Sequence, residues 1–269
     1  MQTDATRARG AARPVDYPVR DGKPMGETDQ HRDELAYYAV DVLRHHFREA
    51  PDVYVSGNNF VYWVEGDPRT VVSPDTYVVR GVPGHPREIF KAWEEGGHRP
   101  GFVLEITSKK TRREDTGQKL ERYRDELRVP EYFLFDPRRD WVPEGLRGHT
   151  LGPDGVYREL APDARGRLAS AFLGLELAVV DGHVRFFLPG AAEPLLTAAE
   201  RAERERVRAE RERVRAEAAE GRAEAAEGRA EAAEGRAEAA EGRAQALEAE
   251  LRRLRAALGD PPGAAEPPR

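Results

Sequence analysis

The chain has 269 residues, no cysteine, 34% charged residues and a formal net charge of -6. That length allows one or two domains, and the missing cysteines exclude disulfides and thiolate metal sites. An acidic balance argues against broad nonspecific nucleic-acid binding but leaves room for a local basic cleft.

No run of 18 apolar residues exists, so no membrane-spanning helix is expected. Residues 1–20 lack the apolar core of a secretory signal, and a cytoplasmic protein is expected. Residues 1–27 are rich in Pro, Gly, Arg and Asp without periodicity and are expected to form a disordered arm. From Thr28, Leu35, Tyr38, Ala39, Val42, Leu43 and Phe47 recur at helical spacing, which predicts an amphipathic helix capped by Thr28 or Asp29.

The segments "DVYVSG" and "NFVYWVEG", split by Gly57-Asn58-Asn59, predict a loose hairpin. "TVVSPDTYVV" predicts another strand, with Pro74 marking an edge or an irregular point. "GFVLEITS" is the most apolar strand of the chain. "DTGQKLERYRDEL" then reads as a helix with Leu120, Tyr123 and Leu127 on one stripe and Asp115 with Gln118 as a capping box. "EYFLFDP", "GVYREL", "LASAFLGLELAVV" and "HVRFFLP" predict further strands. The order predicts a mixed α/β domain over 28–190.

After Pro194 the composition changes. Residues 201–258 hold 14 Arg and 14 Glu with no Lys or Asp, "ERERVRA" occurs twice and "EAAEGRA" four times. The period of seven puts Ala209, Ala216 and every seventh residue to Leu258 at heptad position a, and Ala219 to Leu254 at d, with Glu212 as the misfit. This predicts a coiled coil over 191–258 and self-association. The alternative is a single solvated helix held by Glu/Arg pairs three or four residues apart. Four glycines fall outside the seam, each costing about 1 kcal/mol of helix propensity. Residues 259–269 are expected to be a disordered tail.

Glu105 poses the chemical question. It sits among Val103, Leu104 and Ile106, where an unpaired buried charge costs several kcal/mol. One answer pairs it with Asp75, at the start of another apolar stretch, around a divalent cation held by oxygen ligands. Another pairs it with Lys109, Lys110 or Arg112, or exposes it at the strand end. Residues 109–128 hold eight Lys or Arg against five acids, a candidate DNA-binding cleft. The histidines show no zinc-binding spacing, and there is no Gly-rich phosphate loop and no GxSxG nucleophile elbow.

Pro74-Asp75, the strand end Glu105-Ile106-Thr107-Ser108, the helix Asp115…Lys119…Tyr123, and Val129-Pro130-Glu131-Tyr132 leading into Asp136-Pro137 together resemble the Uma-two family of restriction-endonuclease-like proteins, in the PD-(D/E)XK nuclease superfamily. The resemblance spans about residues 28–190. It implies a restriction-endonuclease-like α/β fold, a mixed central sheet flanked by helices, here followed by the long C-terminal helix. It also implies a Mg²⁺-dependent (or Mn²⁺-dependent) endonuclease acting on DNA, with Asp75 and Glu105 as metal ligands. The superfamily lysine two residues after the glutamate is replaced by Thr107; the resemblance moves that role to Lys119, making Asp75, Glu105 and Lys119 the expected catalytic set. Glu34 is a further candidate ligand, Asp115 reads as a helix cap, and Tyr123 reads as core with its hydroxyl near Lys119. The alternative function is a non-catalytic regulatory or scaffold protein that keeps the fold and works through its coiled coil.

Overall fold

The structure, a computed structural model, describes residues 15–19, 30–107 and 117–258, with side chains from residue 37 onward in the first helix. The expected roles of Thr28, Asp29, Glu34, Leu35, Ser108, Lys109, Lys110, Arg112 and Asp115, and the tail 259–269, lie outside the described residues. The chain divides into two units, one ending at Arg201 and one beginning at Ala202.

The first unit is built on a six-stranded sheet ordered β1-β4-β6-β7-β8-β9 (Val53–Ser56, Thr76–Arg80, Phe102–Ile106, Glu131–Phe135, Leu146–Leu151, Tyr157–Glu159). Only β6 and β7 run parallel; the other neighbours are antiparallel. Alternation of side chains gives the sheet two apolar faces. On one face Phe102, Leu104, Ile106 and Phe133 pack against helix α1 (Gln30–His46) through Ala39, Val42 and Leu43. The same face meets the antiparallel sheet β10-β11-β12 (Leu168–Ser170, Leu175–Val180, His183–Phe187).

On the other face Val103, Tyr77, Tyr132 and Leu134 pack against Tyr123 and Leu127 of a short helix, and against a small sheet β3-β2-β5 (Val71–Val72, Val61–Tyr62, Phe90–Lys91). The short helix runs as α2 (Lys119–Glu121) and widens into a π-turn over Arg122–Glu126. Within the expected arm, residues 15–19 are described: Tyr17 packs edge-on to Tyr62 and against Trp93.

The expected hairpin of "DVYVSG" with "NFVYWVEG" does not form. β1 pairs with β4, whereas β2 pairs with β3 and β5 in a different sheet. The turn between them explains this. Asn58 takes a left-handed conformation at φ 57° and gives its N–H to the carbonyl of Pro74. A Cβ on Gly57 would lie 2.1 Å from the Asp75 carbonyl. The chain therefore crosses closely over 74–75 and leaves the main sheet. Pro74 does the same to its own segment, separating β3 from β4.

The second unit consists of the rest of α3 (Ala198–Leu258), an unbroken helix of 61 residues. Its start is specified within the first unit by a capping box: Glu200 N–H donates to Thr197 Oγ1, and Thr197 N–H donates to Glu200 Oε2. Arg185 holds the same Glu200 carboxylate at 2.8 Å.

Candidate metal and phosphodiester site

All five residues of β6 are buried, because strands lie on both its edges and apolar layers on both its faces. Thr76 pairs with Leu104 in the β4–β6 ladder. The ladder ends at that pair; Asp75 and Glu105 are the next residues on the two segments, alternation puts them on one face, and the Asp75 charge acts on Glu105. That face also carries Tyr77 and Val103 and is covered by the short helix.

The two acids are held differently. Asp75 is 4% exposed and its Oδ2 accepts the backbone N–H of Ile106 at 2.8 Å. Glu105 is 0% exposed; its Oε1 accepts the Tyr123 hydroxyl at 2.5 Å and its Oε2 accepts the Lys119 ammonium at 3.0 Å. Lys119 and Tyr123 are four residues apart, so one helix face delivers both donors to one carboxylate. The π-turn begins between them, and such turns gather at functional sites. The Lys119 side chain is 22% exposed, whereas that of Glu105 is 0% exposed.

Burial pushes the Glu105 carboxyl up to about 7, with the Lys119 charge opposing that rise and the Asp75 charge adding to it. The Tyr123 hydroxyl is held well above its ordinary value, first by burial and then by the Glu105 charge. Tyr123 therefore remains a proton donor to Glu105.

The sequence expectations meet here unevenly. Asp75, Glu105 and Lys119 come together. The Tyr123 hydroxyl was expected near Lys119 and goes to Glu105 itself; the clue was the spacing of 119 and 123 on one stripe. Thr107, at the position of the missing motif lysine, is 3% exposed, and its Oγ1 has no hydrogen-bond partner among the described residues. By alternation it shares the Glu105 face. Glu131 and Asp136 have structural work: Glu131 Oε1 accepts Phe172 N–H, and Asp136 Oδ2 accepts Trp141 and Val142 N–H.

The donor chemistry fits a hard divalent cation. Two buried carboxylates face each other's charge, and magnesium or manganese takes such oxygens together with water and phosphate. A carboxylate oxygen has two lone-pair sites, so the bonds from Tyr123 and Lys119 leave acceptor capacity on Glu105. Among the described residues no cluster of three or more His, Cys, Asp or Glu is placed to hold a metal.

The sequence matches the model of the Uma2 family, described as "Putative restriction endonuclease", over residues 12–180. No curated protein matches the chain. Among solved structures it is similar to one titled a putative nuclease belonging to DUF820 from Anabaena variabilis, at 16% identity and a TM-score of 0.39, over 58% of this chain and 81% of that one.

Proposed function

The chain belongs to the Uma2 family, and from that membership and the buried Asp75–Glu105 pair we propose that it is a metal-dependent endonuclease hydrolysing DNA phosphodiester bonds. One observation carries the reading: a fully buried carboxylate, within reach of a second acid's charge, is met by the ammonium of Lys119 at 3.0 Å. Asp75 and Glu105 would hold Mg²⁺ or Mn²⁺, which when bound supplies a Lewis acid and a more acidic water.

The protein's own groups do the positioning. Tyr123 fixes one oxygen of Glu105 and Lys119 the other, while the Ile106 N–H fixes Asp75. In hydrolysis a water oxygen bonds to phosphorus, the bond to the leaving sugar oxygen breaks, and that oxygen takes a proton. Negative charge grows on the phosphate oxygens as this happens. Lys119, partly exposed beside the acids, is the cation placed to stabilise it, an effect worth a hundredfold or more in rate for a single well-aimed donor, to order of magnitude. The basic segment 109–128 supplies phosphate contacts to the DNA backbone.

A second reading is a regulatory or scaffold protein acting through its C-terminal helix, whose heptad repeat and exposed Leu247, Leu251 and Leu254 suit it to meet another chain. In either reading the heptad seam joins copies of the chain. The test is cleavage of plasmid, single-stranded DNA and RNA by the purified chain with Mg²⁺ or Mn²⁺ against chelator. Metal-dependent DNA cleavage that is lost in Glu105→Gln supports the enzyme. No cleavage with either metal, in a protein that remains folded and oligomeric, supports the scaffold.

A further inference from the structure

The C-terminal helix α3 changes character along its length. In its first part acids and bases satisfy each other: Arg206 pairs with Glu203 at 2.8 Å, Arg208 with Glu212 at 2.9 Å, and Arg213 with Glu210 at 2.8 Å. Such pairs three or four residues apart support a helix standing alone. Past the Arg213–Glu217 contact no ion pair forms within the helix among the described residues.

The repeat explains the change. From Glu217 to Ala244 the glutamates are spaced alternately three and four apart, so like charges stack on one face. Each arginine has only alanine three and four residues away on either side, except that Arg243 meets Leu247 on its C-terminal side. Lacking an acid, Arg222, Arg229 and Arg243 turn their Nε onto the carbonyls of Ala218, Ala225 and Ala239. Beyond the repeat, Leu247, Leu251 and Leu254 are 60%, 52% and 54% exposed on one seam. This part of the helix is composed to meet another chain.

The flanking charges say which chain and which way round. Position g is Arg in every heptad from Arg215 to Arg243, and position e is Glu in every heptad from Glu220 to Glu248. At the end the signs swap together, with Glu250 at g and Arg255 at e. In a parallel pair, g of one helix meets e of the next heptad of its partner, so each of these contacts joins opposite charges. In an antiparallel pair g meets g and e meets e, and nearly every contact joins like charges.

We propose that residues 215–258 form a parallel, in-register two-stranded coiled coil with a second copy of this chain, and that residues 203–214 remain a self-paired helical spacer. The spacer follows because Arg208 at g and Arg213 at e repel in that arrangement, and Glu212 occupies d. This deepens the self-association reading by fixing its orientation: the two ends that lead into the nuclease-like units lie together.

The chain has no cysteine, so single cysteines report orientation directly. Ala219→Cys and Leu254→Cys, both at d, are made separately in the full chain and oxidised in a glutathione buffer. The expected result is a light-scattering mass twice the 30.1 kDa of one chain and a disulfide-linked dimer for each variant alone. Cross-linking only when the two variants are mixed overturns the parallel orientation while leaving self-association standing. A mass of one chain overturns both, and a mass of three or more overturns the two-stranded form. None of these readouts depends on nuclease activity.

Discussion

Glu105→Gln in the metal-free protein should remove a specific dependence of stability on pH. In the wild type the folded carboxyl titrates at about 7 against an ordinary 4.5, chiefly because of burial. The folded state therefore holds this proton more tightly than the unfolded state. Below pH 4.5 both states are protonated and the group costs nothing. As pH rises from 4.5 to 7 the unfolded state releases the proton first, so stability falls; above 7 the loss levels off. At about 1.4 kcal/mol per pH unit the full loss is on the order of 3 kcal/mol. Other acids act oppositely: Asp154, held low by its hydrogen bond from Arg158, favours the folded state as pH rises. Only the difference between wild type and variant isolates Glu105. Gln keeps the shape, and whatever it gains or loses against Tyr123 and Lys119 is a constant offset. Urea unfolding with chelator from pH 4 to 8 should show the variant gaining on the wild type by about 3 kcal/mol across that span. Adding Mg²⁺ at about 100 times its dissociation constant should restore about 2.7 kcal/mol to the wild type alone. Parallel stability curves for the two proteins would refute the reasoning, since Glu105 would then be either paired without strain or not titrating.

Lys119→Met should leave divalent-ion binding largely intact and lower the cleavage rate by roughly a hundredfold or more; a wild-type rate, with Lys109→Met or Lys110→Met inactive instead, moves the catalytic role to Lys109 or Lys110. Tyr123→Phe removes one donor from Glu105, so the pH midpoint of the wild-type-minus-Gln difference should move upward. An unchanged midpoint denies the hydroxyl its role. Gly57→Ala places a Cβ 2.1 Å from the Asp75 carbonyl and should cost about 1–3 kcal/mol by overpacking, with weaker Mg²⁺ affinity in calorimetry because Asp75 is displaced. Truncation after Arg201 keeps the Thr197–Glu200 cap and should give a folded monomer. Truncation after Leu196 loses the cap and the Arg185–Glu200 pair, and should melt several degrees lower.

Much of this was legible in the residues. Continuous apolar runs such as "FVLEI" and "EYFLF" mark strands buried on both faces, and they became the parallel pair at the centre of the sheet. The misfit carboxylate in the first of them led to Asp75, because a buried charge needs partners; Lys119 came from the family resemblance, since charge alone pointed to Lys109, Lys110 or Arg112. What was not legible depended on backbone geometry or on contacts distant in sequence. Pairing of β1 with β4 rather than with its neighbour is decided by the left-handed turn at Asn58 and its bond to Pro74, and strand periodicity carries no such information. The Tyr123–Glu105 bond spans 18 positions. The capping box at Thr197 was a readable T-x-x-E signal, hidden by the stronger heptad pattern that follows it.

The central claim is that Asp75 and Glu105 together hold a divalent cation. Calorimetric titration of Mg²⁺ and Mn²⁺ into the full chain at pH 8, beside the Asp75→Asn, Glu105→Gln double variant, tests it most directly. A binding event in the wild type that vanishes in a folded double variant is the result expected. Equal affinity in both proteins contradicts the site.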